Sequence, residues 1–90
     1  MKYVIFYETD PAAMDRIQEH FPAHSARWQE YADAGTLLMI GPFSDITRGA
    51  MGVFTTREAA ESFVEADPFV VHGIVASWRI EEWNEVLFPS

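Results

Sequence analysis

Three histidines, fourteen carboxylate side chains and no cysteine are what this chain offers for moving a proton or holding a metal. His24 is the most informative. It falls in the apolar stripe of a helix, at the seven-residue step between Ile17 and Tyr31, so its imidazole is expected to point inward. A buried imidazole needs a hydrogen-bond partner. Bonded to a backbone carbonyl or a carboxylate it could be purely structural; oriented and charged by a carboxylate it becomes a general acid or base. Asp67 is a carboxylate that fits either case. It precedes Pro68, and Asp-Pro is a natural N-cap followed by a first helical residue, so capping alone accounts for it. On the functional alternative Asp67 orients and charges the His24 ring. The two stand far apart in the chain, and spacing alone does not join them.

The remaining candidates are weaker. His72 lies beside Gly73, where a histidine satisfies the last carbonyls of a short helix, and His20 is expected to be a solvated helix residue. His20 and His24 are four apart but have Pro22 between them, which is not the H-x-x-x-H pattern with an intervening Glu, so no metal is expected. Trp28, Trp78 and Trp83, with Phe43 and Phe69, could line an apolar pocket for an aromatic or other hydrophobic small molecule. The same residues could instead fill a core or an interface. Arg48 could meet an anionic substrate or be an exposed turn arginine. The lack of cysteine removes thiolate metal sites and Cys nucleophiles. No Gly-rich phosphate loop, serine elbow or dinucleotide fingerprint occurs, so no nucleotide cofactor is expected.

These residues need elements to position them. Residues 2–8 are rich in Tyr, Val, Ile and Phe and read as a strand that stops before Asp10-Pro11. Met14, Ile17, Phe21, Trp28 and Tyr31 recur at helical spacing up to a Gly35 C-cap, and Pro22 predicts a kink or break near Phe21. Thr36 to Phe43 and Gly49 to Thr55 read as a hairpin around a polar turn. Thr55 followed by Glu58 predicts a capped helix carrying Ala59, Ala60, Phe63 and Val64 on one side and closing near Ala66, with an acidic outer face. A short turn of helix through Phe69 and Val70 follows Asp67 and ends at Gly73. The final run, Ile74 to Trp83, places Ile74, Ala76, Trp78 and Ile80 on one face of a strand. The order strand, helix, strand, strand, helix, strand defines an α+β class of ferredoxin-like βαββαβ type: a four-stranded antiparallel sheet with two helices on one face. Tyr3, Ile5 and Tyr7 alternate with Val4 and Phe6, and residues 37–40 are apolar on both sides, so both sheet faces call for burial. A second copy on the bare face, related by a two-fold axis, satisfies that need, and a homodimer is expected.

Composition sets the outer limits. Ninety residues give one domain, 1–90, and 49% hydrophobic with 14% aromatic content is a globular balance. A formal charge of −8 would repel phosphate backbones and anionic lipid, so no nucleic acid and no membrane are expected as partners. The chain runs from Met1 straight into a strand, which is neither a signal peptide nor a spanning helix, and a cytoplasmic location is expected.

With Pro22-Ala23-His24, Gly35-Thr36-Leu37-Leu38, Gly41-Pro42-Phe43, Thr55-Thr56-Arg57-Glu58-Ala59 and Asp67-Pro68-Phe69 in this order, the chain resembles the YCII-related (YciI-like) family over nearly its whole length. The resemblance implies a ferredoxin-like domain that forms a dimeric α/β barrel, and a His–Asp acid-base dyad that carries over onto His24 and Asp67. Ser25 departs from it, since many relatives carry an apolar residue there. Related dimeric barrels include isomerases, dehydrochlorinating lyases and monooxygenases acting on cyclic or aromatic metabolites without a metal. The expectation is therefore a cofactor-free lyase or isomerase in which His24, oriented by Asp67, moves a proton on a small cyclic or aromatic metabolite, with Phe43, Phe69, Trp78 and Arg48 as substrate-binding candidates. The alternative is a non-catalytic small-molecule-binding or accessory dimeric module.

Overall fold

The computed structural model describes residues 1–87. Strand β1 (Lys2–Thr9) leads through a 3-10 turn (Pro11–Arg16) into helix α1 (Ile17–Asp33). The hairpin β2 (Leu37–Pro42) and β3 (Ala50–Phe54) follows, joined through a 3-10 turn at Ile46–Arg48. Helices α2 (Arg57–Ala66) and α3 (Pro68–Val71) lead to β4 (Val75–Trp83). All strand pairs are antiparallel and the sheet order is β2-β3-β1-β4, the ferredoxin-like arrangement expected.

The period of two along β1 decides which residues meet the helices. Ile5 and Tyr7 join Leu37, Phe54 and Val75 against Ala60, Phe63 and Val64 of α2, and Tyr3, Trp28, Tyr31 and Ile40 pack around this cluster. Each fully buried aliphatic or aromatic side chain contributes roughly 1.5–3 kcal/mol of transfer free energy, so this layer dominates stability. Across the sheet, register places residues in rows. Ile80, Ile5, Gly52 and Ile40 form one row on the helix side, and Trp78, Tyr7, Ala50 and Pro42 form the next. Val4, Phe6, Met51 and Val53 alternate onto the opposite, open face. Val4 and Val53 pair there and are each only 3% exposed, shielded by larger half-buried neighbours.

Five local expectations need correction. Helix α1 runs unbroken through Pro22; the break falls earlier, where the 3-10 turn hands over to the α-helix at Ile17. Pro22 is exposed, so the Gln18 carbonyl it leaves without an intrahelical donor can bond water. The N-cap of α2 is Thr56, whose hydroxyl accepts from the Ala59 N–H at 3.1 Å; Thr55 is still bound to the sheet through Thr36. In β4 the alternation slips, because Glu8 pairs with Ser77 but Thr9 with Val75, making Ala76 the extra residue of a bulge. Ile74 and Val75 are consequently both buried, and Ala76 is exposed. His72 does not cap α3 with its ring: its backbone N–H does so, and the ring stacks on His20 at 4.1 Å and 11°, which also takes His20 out of the fully solvated role.

Candidate functional site

Asp67 sits at the junction of α2 and α3, with extended backbone that ends one helix and starts the next. It is fully buried, and three donors from three elements converge on its carboxylate. The Tyr7 hydroxyl of β1 donates to Oδ2 at 2.7 Å, and His24 Nδ1 of α1 meets Oδ1 at 2.7 Å. The Phe69 backbone N–H donates to Oδ1 at 3.2 Å, the cap anticipated from the Asp-Pro pair. The two candidates that spacing could not join are therefore in direct contact.

The His24 ring is packed on one face and along one edge. Phe69 stacks on it with ring centroids 3.9 Å apart and planes within 7°, and Phe63 meets it edge-on at 6.3 Å. One turn along α1, Arg27 donates to the carbonyls of Ser62 and Phe63, tying α1 to the C-terminal turn of α2. Tyr7 is locked as a donor: burial, and then the adjacent Asp67 carboxylate, hold its hydroxyl far above the ordinary phenol range. With Nδ1 facing a carboxylate, neutral His24 carries its proton on Nδ1, and the Nε2 lone pair is the free one. Among the described residues no hydrogen bond engages Nε2.

His24 lines a cavity of about 350 Å³ between α1 and the helix side of the sheet. Ile17, Phe21 and Trp28 of α1 form one wall, Ile5, Ile40, Gly52 and Phe54 the floor, and Phe69, Ile74 and Val75 one end. Of the lining residues only Tyr7 and His24 carry an ionisable side chain, and the Tyr7 hydroxyl is committed to Asp67. Such a space is apolar with a single available proton acceptor, suited to holding a ring and moving one proton.

Of the sequence candidates for binding, Phe69 and Trp28 line this cavity, whereas Phe43, Arg48, Trp78 and Trp83 do not. The Phe43 backbone closes the hairpin loop on Gly49, and Arg48 is an exposed member of the 3-10 turn. Trp78 shares a row with Tyr7, but β4 is the edge strand and its ring is 48% exposed. Tyr7 escaped the sequence reading. The available signal was a hydroxyl on the buried face of a strand, which needs a partner. No group of three or more His, Cys, Asp and Glu able to hold a metal occurs among the described residues.

An antiparallel α+β domain with a buried histidine–carboxylate pair at the wall of an apolar cavity is the class that fold and site define. The chain belongs to the YCII-related domain family, which matches residues 1–84. It is 30% identical over 97 residues to Protein YciI of Escherichia coli O6:H1, covering 96% of this chain and 99% of that protein. Protein YciI of Shigella flexneri is similar to the same extent, 30% over 97 residues. Among solved structures, the fold matches 5-chloro-2-hydroxyhydroquinone dehydrochlorinase (TftG) from Burkholderia phenoliruptrix AC1100, solved in complex with 2,5-dihydroxybenzoquinone. The TM-score is 0.80 at 22% identity, covering 97% of each chain, a likeness of fold.

Proposed function

We propose that this protein is a proton-transfer lyase or isomerase acting on a small cyclic or aromatic metabolite held in the cavity beneath α1. The observation that carries this is a histidine whose Nδ1 is fixed at 2.7 Å by a fully buried carboxylate, on a ring that lines an otherwise apolar cavity. His24 Nε2 takes a proton from an acidic hydroxyl or C–H of the ring. Asp67 stabilises the imidazolium that forms, and the proton returns to another carbon or to the departing group. Phe69 and Phe63 keep the imidazole in place through the cycle, and the apolar walls exclude water. The dehydrochlorinase of the same fold acts on a substituted hydroquinone, which supports a single oxygenated ring as the substrate type. No step of the scheme calls on a metal or an organic cofactor.

The functional unit is a homodimer assembled through the open sheet face, where Phe6, Met39, Met51 and Trp83 would be covered by their copies. The test of the enzymatic reading is turnover of a panel of hydroxylated and halogenated hydroquinones and quinones. Wild-type protein is expected to convert at least one, and His24→Ala to lose about 10²–10⁴-fold in rate while remaining folded. Undiminished turnover in His24→Ala would sink the assignment. Binding without turnover, with His24→Ala merely less stable by about 1–3 kcal/mol, would instead identify a non-catalytic binding module.

A further inference from the structure

Strand β3 carries a glycine where the fold has no use for one. Gly52 is central in its strand, its φ is not in the left-handed region, and it is buried. A Cβ built there would meet Ile40 Cγ1 and Phe54 Cε1 at 3.4 Å and Ile40 Cδ1 at 3.5 Å, close to ordinary contact, so alanine fits the backbone. Glycine weakens a strand interior, and a strand glycine without a conformational reason marks a place where something approaches the backbone closely. Gly49 is a different case, since its φ of 113° requires glycine.

Register shows what lies above Gly52. Its row on the helix side reads Ile80, Ile5, Gly52, Ile40, three isoleucines with one side chain missing. Along β3 the helix-facing residues drop from Phe54 to the small pair Gly52 and Ala50, while Ile5 and Tyr7 on one side and Ile40 on the other keep their bulk. The result is a trough with a backbone floor, all of it lining the cavity that His24 also lines. At about 350 Å³ the cavity is at the small end of the range of about 300–1,000 Å³ found for ligand pockets, which suits one ring better than two.

We infer that Gly52 is the specificity-determining residue of the site: it gives the cavity a flat floor on which a planar, single-ring substrate lies between Ile5 and Ile40, within reach of His24. This rests on the ring-binding reading above and adds the feature that selects the ring. Peptide planes stack against a flat ring, whereas a chair-shaped ring puts axial substituents into the floor. A side chain at residue 52 therefore closes the site to substrate without disturbing His24 or Asp67.

The experiment is a binding titration of the full chain with 2,5-dihydroxybenzoquinone as planar probe and 1,4-cyclohexanediol as non-planar counterpart, followed through the His24 ring resonances. The expected result is binding of the planar probe only, weakened about tenfold or more in Gly52→Ala, which melts at or above the wild-type temperature, and lost in Gly52→Val. Ala50→Gly, which lengthens the trough and adds no bulk, is expected to accept a bulkier planar ring, and it gives a second answer should Gly52→Val misfold. Wild-type affinity within twofold in a folded Gly52→Ala overturns the role of Gly52 while leaving the ring-binding reading in place. Equal binding of the planar and non-planar probes overturns the flat floor alone, and binding of neither overturns both.

Discussion

Asp67 accepts from His24, Tyr7 and the Phe69 N–H, so replacing it by asparagine removes one acceptor oxygen and puts an amide donor among groups that already donate. Asparagine with its oxygen in the Oδ1 position keeps both the cap and the imidazole bond and turns its NH₂ on the Tyr7 hydroxyl; flipped, it loses both and its NH₂ faces the His24 ring nitrogen, which favours the other tautomer. The expected outcome in Asp67→Asn is loss of the single Nδ1–H tautomer of neutral His24, visible in imidazole ¹⁵N shifts. Turnover of any accepted substrate should fall on the order of 10²-fold or more. A variant that keeps both the tautomer and the rate would reduce Asp67 to a helix cap. Tyr7 holds the second oxygen and, kept protonated by burial and by Asp67, supplies orientation and no proton.

At the scale of elements, the hairpin loop is pinned to β1 by the absence of a side chain. Gly49 has a φ of 113°, and a Cβ there would overlap the carbonyl oxygen of Tyr7. Gly49→Ala is expected to cost about 2–5 kcal/mol from backbone strain and overlap together, read by chemical denaturation, and to displace Tyr7 from Asp67. A cost below about 1 kcal/mol would mean that the loop relaxes freely. The order of elements was legible in sequence because β1, the hairpin and α2 each show one clear period, and His24 was placed correctly by its step from Ile17. What escaped depended on pairing. The bulge at Ala76 is set by the partner strand, so alternation counted along β4 alone assigned Ala76 to the buried face in place of Val75. The meeting of His24, Asp67 and Tyr7 required three elements to be docked, and Gly52 looked like an ordinary strand residue until its row was known.

Over the whole molecule, the sheet face turned away from the helices exposes large apolar side chains. Met39 is 61% exposed and Trp83 46%, while Arg79 lies over the Phe6 ring at 4.3 Å and pairs with Glu81 at 3.1 Å. Sedimentation at micromolar concentration is expected to give twice the chain mass, and Met39→Lys to shift it towards the single chain; a wild-type monomer would remove this face as an interface. At the margin of the same sheet, Glu85 reaches the Lys2 ammonium and the Met1 amino group, each at 2.7 Å, and these cations hold its carboxyl at about 2, below its usual 4.5. A depressed carboxyl stabilises the fold above its unfolded value and stops doing so as pH falls from about 4.5 through about 2. Glu85→Gln should therefore flatten the acid limb of melting temperature against pH over that window, and an unchanged limb would make the contact energetically idle. A chain of 90 residues has little core to spare, and here part of the space between helix and sheet is unfilled. Any ring that occupies it completes the core, so occupancy and folding draw on the same free energy, about 2.7 kcal/mol at a hundredfold excess over Kd. A natural ligand of the cavity can thus be sought in unfractionated metabolites by the heat resistance it confers, before any reaction is known.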